Sequence, residues 1–199
     1  MTGATIGEEI TSLQRQYDAI EADARALVSG LSEEQGRWHP SPGAWSVAEC
    51  LDHLATANRA YLGAMRPPAE RGLARGQTRR GPALPGLVGG WFISWLEPPV
   101  KPRLRGKAPR VIRPRQEPPL ADAFAAFVAS HDDTRAFLQR FMAIDLARIR
   151  FPNPFVRGVR FSLATGVNVI AAHDRRHLWQ AWNVRRAAQQ AAAPIGRLA

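Results

Sequence analysis

His173-Asp174-Arg175-Arg176-His177 sets two imidazoles four residues apart. On a helix that spacing turns both rings to one face, where they can share one divalent ion. Pairs so spaced also arise as ordinary surface residues, so a metal reading needs a third donor from another element. His53 and His131 compete for that role. His53 falls at the edge of an apolar stripe, beside the small Cys50, Ala57 and Ala60, which leave space for an ion and a ligand. His131 lies directly on an apolar seam, where a hydrogen-bonded core histidine is the simpler reading. Three histidines would leave a coordination position open to water or substrate, as in catalytic zinc sites.

The other candidates are weaker. Asn58 and Gln180 follow their histidines by five and three residues, so each could orient a ligand or touch substrate. They serve equally well as ordinary polar residues. Cys50 lies one turn before His53 and could act as thiolate ligand or nucleophile, but a buried inert thiol fits the apolar stripe better. His39, beside Pro40 in a loop, reads as structural. No residue is assigned as general acid or base.

Four helices must position these groups. In the first, Ile6, Ile10, Leu13, Tyr17, Ile20, Ala24, Leu27 and Leu31 recur in steps of four and three, and Gly30 marks the stop. Ser32-Glu33-Glu34-Gln35 offers a capping box for a short extra turn, and Ser46 with Glu49 offers a second. The helix opened by Ser46 carries Val47, Cys50, Leu51, Leu54, Tyr61 and Met65 on its apolar side and is expected to stop at Pro67-Pro68. The third runs from about Leu120 to Met142 on a seam of Leu120, Phe124, Phe127, His131, Thr134, Leu138 and Phe141. The fourth runs from about Ser162 to Arg186, after the break at Phe151-Pro152-Asn153-Pro154, with Leu163, Ile170, Leu178 and Ala181 inward. No strand pairing is evident, so the expected class is an all-α bundle in one domain over residues 1–199.

Residues 66–118 interrupt this pattern between the second and third helices. They hold ten prolines and twelve Lys or Arg against Glu70, Glu97 and Glu117, a charge of +9. The whole chain carries +10, so the basic character belongs to this insertion and not to the bundle. Within it, the apolar stretch 84–96 contains Trp91, Phe92, Ile93 and Trp95 and suggests a short packed helix. Thirteen residues interrupted by proline and glycine cannot cross a bilayer, which takes roughly 20. The first residues lack the basic and apolar regions of a signal peptide, and the single cysteine excludes an intramolecular disulfide, so the expected location is cytoplasmic.

Two stretches together carry a family pattern. Trp38-His39-Pro40-Ser41-Pro42-Gly43-Ala44-Trp45-Ser46, running on through His53-Leu54, and His173-Asp174-Arg175-Arg176-His177-Leu178-Trp179-Gln180 resemble the DinB/YfiT-like superfamily. That resemblance implies a four-helix bundle of up-down-down-up topology. It also implies one histidine ligand from the second helix and two from the fourth, which map onto His53, His173 and His177. The ion it implies is zinc, nickel or another divalent metal. Characterised relatives include transferases using a low-molecular-weight thiol such as bacillithiol, mycothiol-dependent isomerases and metal-dependent hydrolases. The long Pro/Arg-rich insertion departs from the plain pattern and leaves the substrate open.

The expected function is therefore a metal-dependent S-transferase or hydrolase acting on a small molecule, with the insertion as wall or lid. The alternative is a non-catalytic binder of metal or ligand. The 84–96 segment could equally form the face of a homodimer. Nucleic-acid or membrane-surface binding through the insertion is a third reading. Both are disfavoured against a solvated basic loop, because the aromatics cluster apart from the arginines and no recognition module is visible.

Overall fold

The computed structural model describes residues 7–99 and 108–192. Its helices are α1 (Glu8–Val28), α2 (Glu33–Arg37), α3 (Val47–Ala74), α4 (Leu87–Leu96), α5 (Leu120–Phe141) and α6 (Leu163–Ala192). The all-α expectation holds, and α1, α3, α5 and α6 are the four long helices it called for. Ile6, placed at the head of the first apolar seam, lies outside the described residues.

Contacts fix the directions of the four. Gln16, Asp23 and Leu27 of α1 meet Arg175, Trp182 and Arg185 of α6 in rising order, so these helices run parallel. Asn58 and Glu70 of α3 meet Ser130 and Arg140 of α5, again parallel. Tyr17 lies against His131 while Arg25 covers Phe124, so α1 opposes α5. His53 faces His173 while Met65 faces Gly166, so α3 opposes α6. The order along the chain is up, down, down, up.

Both sequence-level capping boxes form. Ser32 and Gln35 exchange bonds at the start of α2, and Ser46 and Glu49 do so at the start of α3. Each pair satisfies two amide N–H groups that a helix start leaves without internal partners. Gly30 takes a φ of 72°, the left-handed turn that ends α1. The core is filled by the expected stripes, with Tyr17, Leu51, Leu54, Met65, Phe127, Leu138 and Phe141 fully buried.

Two expectations are corrected. The second helix does not stop at Pro67-Pro68; α3 continues through both prolines to Ala74. Two adjacent prolines remove two helix donors, a local cost that tertiary contacts offset here. Pro68, Ala69 and Gly72 are buried, Gly72 lies against Ile149, and Glu70 pairs with Arg140 of α5 at 3.0 Å. The first nine residues of the insertion therefore belong to the bundle. Strand pairing also exists: β1 (Arg150–Pro152) and β2 (Arg160–Ser162) form an antiparallel hairpin between α5 and α6. Phe151 and Phe161 pair across it and face the core, but three residues per strand give too short an alternation to read from sequence.

The fourth helix extends to Ala192, beyond the expected Arg186. The apolar segment of the insertion is helical, as expected, from Leu87 to Leu96, and packs on α6. Gly89 meets Thr165 so closely that a Cβ there would overlap it, and Phe92 lies 5.2 Å from the Phe161 ring. Residues 108–119 then cross back over the start of α3. The basic residues Lys101, Arg103, Arg105 and Lys107 lie outside the described residues.

At the far end of the α3–α6 contact, a Cβ on Gly166 would overlap Met65 Sδ and lie 2.8 Å from the Phe151 ring. Gly166→Val should therefore destabilise the chain by about 1–3 kcal/mol through overpacking, read as a lower urea midpoint with unchanged slope.

Candidate metal centre

His53 sits two turns into α3, and its side chain is 1% exposed. Its Nδ1 lies 2.5 Å from the carbonyl oxygen of Ile112, in the returning part of the insertion. A carbonyl can only accept, so Nδ1 carries the proton and the Nε2 lone pair is free. That lone pair faces α6, where His173 Nε2 lies 3.3 Å away. One helical turn on, His177 has its Nδ1 3.0 Å from Gln180 Oε1, which likewise directs the proton to Nδ1 and frees Nε2.

The three rings surround a common point. Their centroids are 5.0, 4.6 and 4.6 Å apart, with interplanar angles of 67°, 69° and 73°. Rings that merely stack would lie flatter against one another. One nitrogen from each comes within 4.8 Å of the other two. Two nitrogens on one tetrahedral zinc, each at about 2.0–2.1 Å, would lie roughly 3.3 Å apart. The His53–His173 spacing already has that value. Trp45 closes one side, its ring 4.7 Å from that of His53 and 5.6 Å from that of His177.

Electrostatics suits the same role. Burial pushes the pKa of all three imidazoles down, furthest for His173 and His177. Mutual repulsion among the rings and the nearby Arg176 lower His173 and His177 further. The rings are therefore neutral near neutral pH, the form that coordinates metal. Among the described residues no carboxylate joins the cluster, although Asp52 and Asp174 are sequence neighbours of its members. Asp52 binds the Arg115 backbone N–H and guanidinium, both at 2.8 Å. Asp174 accepts from Asn58 and His131 on the other side of α6. A divalent ion held by three neutral donors keeps its full charge, so its open position would favour an anion.

The remaining sequence candidates separate cleanly. His131 stays away from the cluster, with Nε2 3.0 Å from Asp174 Oδ2 and the Tyr17 ring 5.3 Å off. Asn58 orients Asp174 and no imidazole, whereas Gln180 orients His177 directly. Cys50 is buried, its thiol is pushed far up by that burial, and it stands outside the cluster of donor atoms, so it is no ready nucleophile. His39 bonds Glu49 at 2.8 Å beside the α3 cap. Sequence reading missed Trp45 as a wall of the site and the Ile112 carbonyl as the partner of His53. The Trp-Ser run into the capping box was a usable signal for the first; nothing local pointed to the second.

Fold and cluster together define a class: a helical protein with three histidines gathered between two opposed helices. The family model of the DinB superfamily matches residues 16–181, and the chain belongs to that superfamily, whose members typically bind metal. No curated protein and no solved structure matches the chain.

Gln180→Leu should lower divalent-metal affinity by about 10–100-fold while leaving the fold intact, as measured by competition with a chromophoric chelator. The pH dependence has a definite sign. With folded pKa values below the ordinary 6.5 of histidine, the unfolded chain takes up protons first as pH falls. Chelator-treated protein should thus be most stable above about pH 7 and lose stability from there downward. Glu21, Glu33 and Glu70, held low, act only below about 4.5, and the raised pKa of Asp174 works in the opposite direction. Replacing the three histidines by glutamine should flatten the urea midpoint between about pH 7 and 5.5.

Proposed function

We propose that this chain is a cytoplasmic, divalent-metal-dependent enzyme acting on a small molecule, by thiol-dependent S-transfer or by hydrolysis. The observation that carries the reading is the convergence of three neutral imidazoles whose donor atoms lie within 4.8 Å of one another. His53, His173 and His177 would hold the ion through their free nitrogens, and zinc and nickel both suit imidazole donors. A bound ion lowers the pKa of a thiol or water beside it, so that thiolate or hydroxide is available near neutral pH.

The chain's own groups prepare that position. The Ile112 carbonyl and Gln180 keep the protons of His53 and His177 on Nδ1. Trp45 shields the rings from solvent on one side. Arg176, which raises the positive potential at His173 and His177, would attract an anionic thiol or substrate. The described part of the insertion forms one wall, through Ile112.

A non-catalytic binder is the second reading. It is favoured by the engagement of Asp52 and Asp174 with Arg115 and His131, which leaves neither as a ready base at the cluster. Protein purified without an affinity tag, reloaded with zinc or nickel and screened with thiols and electrophiles, separates the two. The enzyme reading expects turnover that His177→Ala abolishes together with metal uptake. Metal uptake with no turnover against any thiol–electrophile pair or hydrolysable ester would favour the binder.

A further inference from the structure

α4 is apolar on both sides, and among the described residues only one side is covered. Gly89, Phe92, Ile93 and Leu96 pack toward α6 and β2. On the opposite side, Leu84, Leu87, Val88 and Trp91 are 50%, 95%, 72% and 68% exposed. Leu87, Val88 and Trp91 share one face of α4, which Trp95 continues one turn on, and Leu84 lies in the chain just before the helix. An isolated exposed leucine needs no explanation; a stripe of this kind marks a contact surface.

Charge selects the occupant. The three acids of residues 66–118 are each neutralised by an arginine outside that segment: Glu70 by Arg140, Glu97 by Arg175, and Glu117 by Arg37. Among the described residues of the segment, Arg66, Arg71, Arg75, Arg80, Arg110 and Arg113 have no carboxylate within ion-pair distance. Between residues 98 and 116 the sequence has seven Lys or Arg and no acid, and Arg110, Arg113 and Arg115 are the three among the described residues. A second copy would bring the same positive charge face to face. Nucleic acid would satisfy the arginines but offers nothing apolar for Leu84, Leu87 and Val88. An anionic bilayer offers both an apolar interior for the α4 face and headgroup charge for the arginines of the segment.

We propose that the α4 face is a peripheral docking surface for anionic lipid membranes, with Leu87, Val88 and Trp91 entering the interface. No described helix is long and apolar enough to span a bilayer, so attachment would be at the surface.

Full-length protein is incubated with phosphatidylcholine vesicles, plain or doped with phosphatidylglycerol, and bound protein is measured by co-sedimentation. Binding is expected on the doped vesicles only, weakened by salt and accompanied by a blue shift of tryptophan emission. The Leu87→Ser/Trp91→Ser variant should bind about tenfold or more weakly, because two large apolar groups no longer leave water. Its helical circular dichroism and metal uptake should match wild type, since both side chains point away from the bundle. No binding to doped vesicles, or equal binding to plain ones, would overturn the proposal. So would a homodimer, or single-stranded DNA binding, that the double substitution abolishes.

Discussion

Asp174 sits where α3, α5 and α6 meet, and its carboxylate joins all three. It is fully buried, accepts from Asn58 of α3 at 3.1 Å and from His131 of α5 at 3.0 Å, and lies one residue after His173. Burial raises its pKa, opposed first by His131 and then by Asn58. Removing one partner of such a buried, hydrogen-bonded charge typically costs about 3–5 kcal/mol, so the arrangement tolerates little rotation of α6. Successive residues on a helix point about 100° apart, so a carboxylate held on one side aims its neighbours elsewhere. With Asp174 turned to α5, His173 and His177 turn to α3 and His53.

The rest of the site follows from that orientation. Once the imidazoles are gathered and buried, desolvation and mutual repulsion keep them neutral. Neutral rings in so small a volume need their protons placed, and the Ile112 carbonyl and Gln180 place two of them on the outer nitrogens. The insertion is thereby part of the site, because a segment that looks like a long connection supplies the backbone group that orients His53. Arg115 ties the same stretch of chain to Asp52 through its backbone N–H and its guanidinium, so the segment is held at two residues.

Much of this was legible in the residues. The four-residue spacing of His173 and His177 survives directly, as do the two capping boxes and the stripes of the long helices. His53 could be placed because its helix start was marked by Ser46 and Glu49. The Pro67-Pro68 stop failed because proline reports a local preference, while burial of Pro68, Ala69 and Gly72 is a property of the packed chain. His131 stood as the competitor of His53, with a core role the simpler reading, because a seam position records burial without recording its partner. That partner, Asp174, read in sequence only as a spacer between two histidines. The Ile112 bond spans 59 residues and involves a backbone atom, so no side-chain pattern could announce it.

The central claim is that His53, His173 and His177 act as one ligand set. X-ray absorption at the zinc or nickel edge of reloaded, untagged protein tests it most directly. The account predicts one ion per chain with three imidazole nitrogens at about 2.0–2.1 Å and a further light-atom donor at the open position. A protein that takes up no ion, or whose spectrum is unchanged by His53→Ala, would contradict it.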